Sequence, residues 1–168
     1  VENKIGPLHY FAKTYTMMRW VYEIATNKIL LDFVEDLIGE NILLYNATFI
    51  IKEPMTKTHV SWHQDLTYWG FDDNEKQVSA WIALSNADET SGCMQMIPGS
   101  HKKGFFAHKS TNDKNNVLSR GQTVNNVDVD KAVLCPLHPG EASFHHGLTL
   151  HLPPWIALQF YINLRFYL

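Results

Sequence analysis

The chain has 168 residues, 45% of them hydrophobic and 18% charged, with a formal net charge of −3. That balance suits one globular domain with one core and excludes a disordered chain. No basic stripe offers itself to nucleic acid and no apolar run is long enough to span a bilayer, so neither partner is expected.

The opening, VENKIGPLHY, has no basic start and no apolar stretch, so it does not read as a secretory leader. Cys93 and Cys135 fit no zinc spacing. Free, mostly buried thiols in a reducing cytoplasmic compartment are the expectation.

The first forty residues read as helical. A helix is expected from about Tyr10 to Ala25, with Met17, Met18 and Val21 turned inward. A second follows, in which Ile29, Leu30, Phe33, Val34, Leu37 and Ile38 form an apolar stripe. Thr26 or Asn27 can cap its start and Gly39 follows its last turn. After Gly39 the texture becomes β-branched and aromatic. ILLYNATFIIKEP, THVSWHQDLTYWG and QVSAWIALSNA read as strands separated by polar or Gly/Pro clusters. DETSGCMQMIPGSHKKG supplies a turn, a short strand and a Pro-Gly turn. The polar stretch from Ser110 to Val127 reads as an exposed loop that helps shape specificity. AVLCPLHPGEASFHHGLTLH returns to strand texture. Helices first and strands afterwards imply an α+β, mainly β domain, with the helices backing an antiparallel sheet or barrel.

Within VSWHQDLTYWG, His63 and Asp65 stand two apart. On a strand they share one face, with Gln64 opposite. Both lie between Trp62 and the Tyr68-Trp69 pair, where a buried carboxylate needs a partner or a cation. A third ligand is available in EASFHHGLTLH, where His145, His146 and His151 cluster. His145 and His151 share parity, unless Gly147 makes a bulge. Closure of a β-barrel brings distant strands to one mouth, and two His with one carboxylate make the facial triad of non-haem iron sites. His59, His101 and His108, beside turns or in polar stretches, read as surface residues.

Taken together, FIIKEP, VSWHQDLTYWG, QVSAWIALSNADETSGCMQMIPGSHKKG and GEASFHHGLTLH resemble the phytanoyl-CoA dioxygenase family. The resemblance runs from about Leu8 to His151 and implies a single Fe(II)/2-oxoglutarate oxygenase-like domain over residues 1–168. It implies a double-stranded β-helix, the jelly-roll or cupin-like barrel, with the metal at one mouth. It implies His63, Asp65 and His151 as iron ligands, choosing His151 over His145 and His146. It implies Fe(II) and 2-oxoglutarate as cofactor and cosubstrate, with O₂ and a small organic molecule as the other reactants. Asn46 and Trp81 match positions near the cosubstrate in relatives, with a plain barrel-lining role as the alternative for both. Halogenase relatives lack the carboxylate ligand, so Asp65 points to hydroxylation.

The chain departs from the family pattern at both ends. It is short at its start. After the last ligand, Pro153 stands where the family has the Ser that holds the far carboxylate of 2-oxoglutarate. The usual Arg position falls near Gln159 or Ile162, leaving Arg165 or Lys52 as the cation for that carboxylate. Weak cosubstrate binding is therefore expected. The apolar tail WIALQFYINLRFYL is expected to bury against the barrel, or against another chain as an added strand that makes an oligomer. The leading function is hydroxylation of a small molecule; the alternative is a truncated or degenerate metal-binding barrel without turnover. A zinc hydrolase lacks its H-E-x-x-H motif and any obvious general base here.

Overall fold

The computed structural model describes residues 8–52, 59–70, 75–111, 113, 115–116, 118, 122–152 and 158–166. For residues 8–10, 50–52 and 158–166 only the backbone is described. The fold is mixed, mainly β, and the first element among the described residues is a strand rather than a helix. Strand β1, Leu8–Phe11, pairs antiparallel with β2, Ile42–Lys52. A short 3₁₀ turn follows at Thr14–Thr16, and helix α1 runs only from Arg19 to Ala25. The helix expected from Tyr10 is thus shortened by about half. Tyr10 and Phe11 favour the pleated surface that β2 offers. Lys13 then adopts a left-handed φ of 55°, and the buried Thr14 hydroxyl donates to the carbonyl of Ala47. Met17 and Met18 fall before the helix and are exposed, Met17 to 74%, whereas Val21 is buried as its spacing requires.

Helix α2, Lys28–Ile38, is capped by the side chain of Asn27, which accepts from the Ile29 amide, and it ends at Gly39 with φ 96°. Its buried face is Leu30, Val34 and Ile38. Ile29, Phe33 and Leu37, expected in the same stripe, are exposed. The apolar pattern is wider than the face the sheet can cover.

A five-stranded sheet has the order β1-β2-β10-β3-β8, where β3 is Gln77–Ala83, β8 is Ala142–His146 and β10 is Leu158–Phe166. All residues of β3 are buried because both faces are covered. On one face Val78, Ala80 and Ile82 join Val21, Ala25, Leu30, Val34 and Ile38 from the helices, with Ala47 and Phe49 of β2. On the other face Trp81 and Ala83 pack with Ala87 and Met94. Met94 belongs to β4, Met94–Met96, the middle strand of a second sheet ordered β7-β4-β9. In that sheet β7 is Val133–Cys135 and β9 is His151–Leu152. A β-bridge between His63 and His151 carries the second sheet one step further.

Most of the apolar tail is strand β10, paired antiparallel with β2 on one side and β3 on the other. Both of its edges are used inside this chain, so an added strand on another copy is not what the tail makes. Part of the polar stretch is paired: β5, His108–Ser110, pairs with β6, Gln122–Val124, and Asn116 is buried. Cys93 and Cys135 are free thiols, Cys93 buried and Cys135 half-buried. Among the described residues, no helix is long and apolar enough to cross a membrane.

Candidate metal centre

His63 and His151 meet through the backbone. Each amide donates to the other's carbonyl at 3.1 Å. Directly opposed in this antiparallel pair, the two rings lie 4.2 Å apart between centroids. Each Nδ1 lies 2.9 Å from the carbonyl oxygen two residues earlier, Ser61 for His63 and Thr149 for His151. Donation from Nδ1–H to that carbonyl leaves Nε2 as the lone-pair atom, the tautomer a metal ligand needs.

Asp65 reaches the same point by a different route from the one expected. The chain leaves extended geometry at Asp65, whose φ of −59° and ψ of −42° begin a helical turn, α3, Leu66–Trp69. The Leu66 amide donates to the Gly147 carbonyl at 3.2 Å, and Gly70 ends the turn with φ 65°. Strand parity therefore does not align His63 with Asp65; the turn does. Oδ1 of Asp65 comes within 3.5 Å of His63 Nε2 and 3.6 Å of His151 Nε2. The three ligand atoms lie within 4.8 Å of one another and all three residues are buried.

The electrostatics agree with a cation-binding group. Burial works against the charge of Asp65, but attraction from His151 and hydrogen bonds from His145 and His63 hold its carboxyl well below the usual range. Burial, and then the neighbouring His63 ring, push His151 down to about 3, against the opposite pull of Asp65. A neutral His151 is the ligating form. Among the described residues its Nε2 is buried with no hydrogen-bond partner. A buried acceptor of that kind costs free energy unless something fills its lone pair. One carboxylate oxygen and two imidazole nitrogens fit a first-row divalent ion such as Fe(II).

Gln64, between the ligands in sequence, is fully buried on the other side. Its Nε2 donates to the carbonyls of Gly104 and Leu148 at 2.9 and 2.7 Å, and its Oε1 accepts from the Phe106 amide at 2.8 Å. It ties the motif to two distant segments. His108, expected at the surface, is half-buried and part of the same support. Its Nδ1 lies 2.9 Å from the Phe106 carbonyl, and its Nε2 accepts the Gln64 amide at 3.1 Å. Burial, opposed by the Phe106 hydrogen bond, pushes the His108 ring below its usual value and keeps Nε2 an acceptor.

Two residues beside Asp65 carried no sequence signal as partners of it. Ser79 Oγ donates to Oδ2 at 3.0 Å, and His145 Nε2 lies 3.5 Å from the same oxygen. Ser79 and His145 are directly opposed on β3 and β8. The parity of His145 with His151 was the available clue, yet the two fall in different sheets, joined by the turn at Gly147.

The other expected site residues are spread out. Trp81 is fully buried two residues beyond Ser79, on the face that looks toward the second sheet. Asn46 stands in register with Asn163, which opposes Ser79, but its amide is engaged by Thr48 Oγ1 and the Lys13 backbone. Lys52 lies opposite Leu8 at the end of β2, and Arg165 lies opposite Gln77 and Leu43. The side chains of Lys52 and Arg165, and residue Pro153, lie outside what is described. Tyr68 meets the His63 ring edge-on at 6.0 Å, and Trp69 stacks obliquely on Tyr45.

Comparison with known proteins gives the family of the chain. The sequence profile of the family described as "Phytanoyl-CoA dioxygenase (PhyH)" matches residues 9–152. The chain is 31% identical over 130 residues to a "Probable alpha-ketoglutarate-dependent hypophosphite dioxygenase" of Stutzerimonas stutzeri, covering 76% of this chain and 45% of that protein. It is 27% identical over 135 residues to the peroxisomal phytanoyl-CoA dioxygenase of Homo sapiens, covering 78% of this chain and 40% of that protein. The chain thus spans less than half the length of these relatives. Among solved structures, the non-heme monooxygenase ThoJ superposes with a TM-score of 0.79 at 26% identity, over 93% of this chain and 58% of that one. EvdO2 from Micromonospora carbonacea var. aurantiaca, complexed with 2-oxoglutarate, gives 0.70 at 25% identity, over 95% and 66%.

Proposed function

The chain belongs to the phytanoyl-CoA dioxygenase family, and from that premise we propose that it is an Fe(II)- and 2-oxoglutarate-dependent dioxygenase hydroxylating a small organic substrate. His63, Asp65 and His151 are its iron ligands in this reading. The carrying observation is the meeting of two Nε2 atoms and Oδ1 in a buried group, with no hydrogen-bond partner for the His151 Nε2 among the described residues. The strand orders β2-β10-β3-β8 and His63-β9-β4-β7 support a double-stranded β-helix, which sets the ligands at one mouth.

When bound, iron supplies the redox chemistry that couples oxidative decarboxylation of 2-oxoglutarate to oxygen insertion. The chain's own residues do the rest. Ser61 and Thr149 fix the two imidazoles through their carbonyls. Asp65 supplies the anionic ligand. Trp81 and Asn46 line the cosubstrate side, and Arg165 or Lys52 is the cation for the far carboxylate. The Tyr68 and Trp69 rings wall the site and keep water from it.

A second reading, metal binding without turnover, is favoured by Pro153 at the position of the family's carboxylate-binding Ser. Supplying Fe(II), O₂ and 2-oxoglutarate separates the two. Succinate formation that disappears in Asp65→Ala supports the dioxygenase; bound iron with no succinate supports the second reading.

A further inference from the structure

Asp65 turns its two oxygens to different tasks. Oδ1 faces both ligand nitrogens, at 3.5 and 3.6 Å. Oδ2 faces the sheet, where it accepts from Ser79 Oγ at 3.0 Å and lies 3.5 Å from His145 Nε2. Ser79 and His145 are both buried, and they are paired across β3 and β8, so the sheet itself sets their spacing. His145 is close enough to the centre to be mistaken for a ligand, with its ring 4.7 Å from that of His151. Its Nε2 is nevertheless aimed at the oxygen that faces away from the other two ligands. The group of mutually close ligand atoms contains His63, Asp65 and His151 and not His145.

Resting on the iron-site reading above, we infer that Ser79 and His145 form a positioning pair that holds Asp65 Oδ2 away from the metal, so that Asp65 ligates through Oδ1 alone. A chelating carboxylate would need Oδ2 to swing inward and abandon the Ser79 hydroxyl. That would break the hydrogen bond that Ser79 gives the carboxylate. Holding it outward keeps one more coordination position open for reactants. The same two donors stabilise the negative charge that binds the cation, since hydrogen bonds to an ionised carboxylate are stronger than neutral ones.

The test uses the whole chain loaded anaerobically with Co(II) in place of Fe(II), comparing wild type, Ser79→Ala, His145→Phe and the double variant. His145→Gln keeps an N–H donor, and thermal melting reports whether each variant folds. Metal affinity, by calorimetric titration, should fall by about tenfold to a hundredfold in the double variant, the usual cost of losing outer partners of a ligand. His145→Gln should recover most of what His145→Phe loses. With ¹³C-labelled aspartate, the separation of the two carboxylate stretches should be wide in wild type, as for one-oxygen ligation, and narrower in the double variant. Proton spectra of the Co(II) protein should show two strongly shifted exchangeable ring N–H signals, from His63 and His151. A third such signal would make His145 a ligand and overturn the inference, as would unchanged affinity and stretches in the double variant. A wild-type chain that takes up no metal would overturn the iron-site reading itself, and this inference with it.

Discussion

His63 and His151 are held by the same local device: each ring nitrogen Nδ1 sits 2.9 Å from the backbone carbonyl two residues before its own. The two residues also exchange backbone hydrogen bonds, so neither ring can be re-aimed without disturbing the other. Preorganisation of this kind puts the remaining demand on Asp65, the sole anion of the group.

Asp65→Ala should therefore remove iron binding almost completely. The loss in affinity should exceed the tenfold to about a hundredfold typical of losing an outer partner. Anaerobic Fe(II) titration measures it. A variant that binds iron as wild type does would remove Asp65 from the ligand set.

Gln64→Leu should destabilise the protein by about 3 kcal/mol or more. The substitution strands the Gly104 and Leu148 carbonyls and the Phe106 amide, each at a cost of roughly 1–3 kcal/mol where water does not reach them. Urea unfolding of the metal-free protein gives the value. A change below about 0.5 kcal/mol, the size of an ordinary surface substitution, would mean that Gln64 is not the strut described.

Gly147 and Gln77 should be energetically coupled. A Cβ on Gly147 would lie 2.4 Å from Gln77 Nε2 and 2.6 Å from Oε1. Gln77 is buried, and both of its amide atoms are without hydrogen-bond partners among the described residues. Gly147→Ala should destabilise by displacing that amide. With Gln77→Ala already present, Gly147→Ala should cost about 0.5–3 kcal/mol less, the range for residues in contact. Strict additivity in the double-mutant cycle would contradict the packing.

Acid should weaken the metal-free protein before carboxylates titrate. His151 takes up its proton only near pH 3 when folded, against about 6.5 when unfolded. Between these values the unfolded chain holds the extra proton, so stability falls as pH falls. The slope from this residue approaches ~1.4 kcal/mol per pH unit. Asp65, also depressed, adds its loss only below its free value of about 3.8. Denaturation midpoints at several pH values should flatten between about pH 6 and pH 4.5 in His151→Gln. An equally steep variant would assign the acid sensitivity elsewhere.

What the sequence makes legible depends on how local the signal is. β2 and β3 are long β-branched runs, and α2 carries both its cap, Asn27, and its stop, Gly39. These are readable because the chain states them within a few residues. The shortened α1 is not, because β1 forms only by borrowing an edge of β2, thirty residues and more away. Strand alternation puts His63 and Asp65 on one face, but alternation is not how they meet in the structure. A turn that starts at Asp65 replaces the expected alternation, and its anchor is the Gly147 carbonyl. Ser79, Gln77 and His108 were silent because each is defined by a cross-strand or cross-loop partner: His145, Gly147 and Gln64.

Anomalous scattering at the iron edge, from crystals of the full chain loaded anaerobically with Fe(II), tests the iron site most directly. One peak is expected about 2.0–2.2 Å from His63 Nε2, His151 Nε2 and Asp65 Oδ1, distances usual for nitrogen and oxygen ligands. The peak should be absent in His151→Ala. A peak elsewhere, or one that survives the loss of His151, would contradict it.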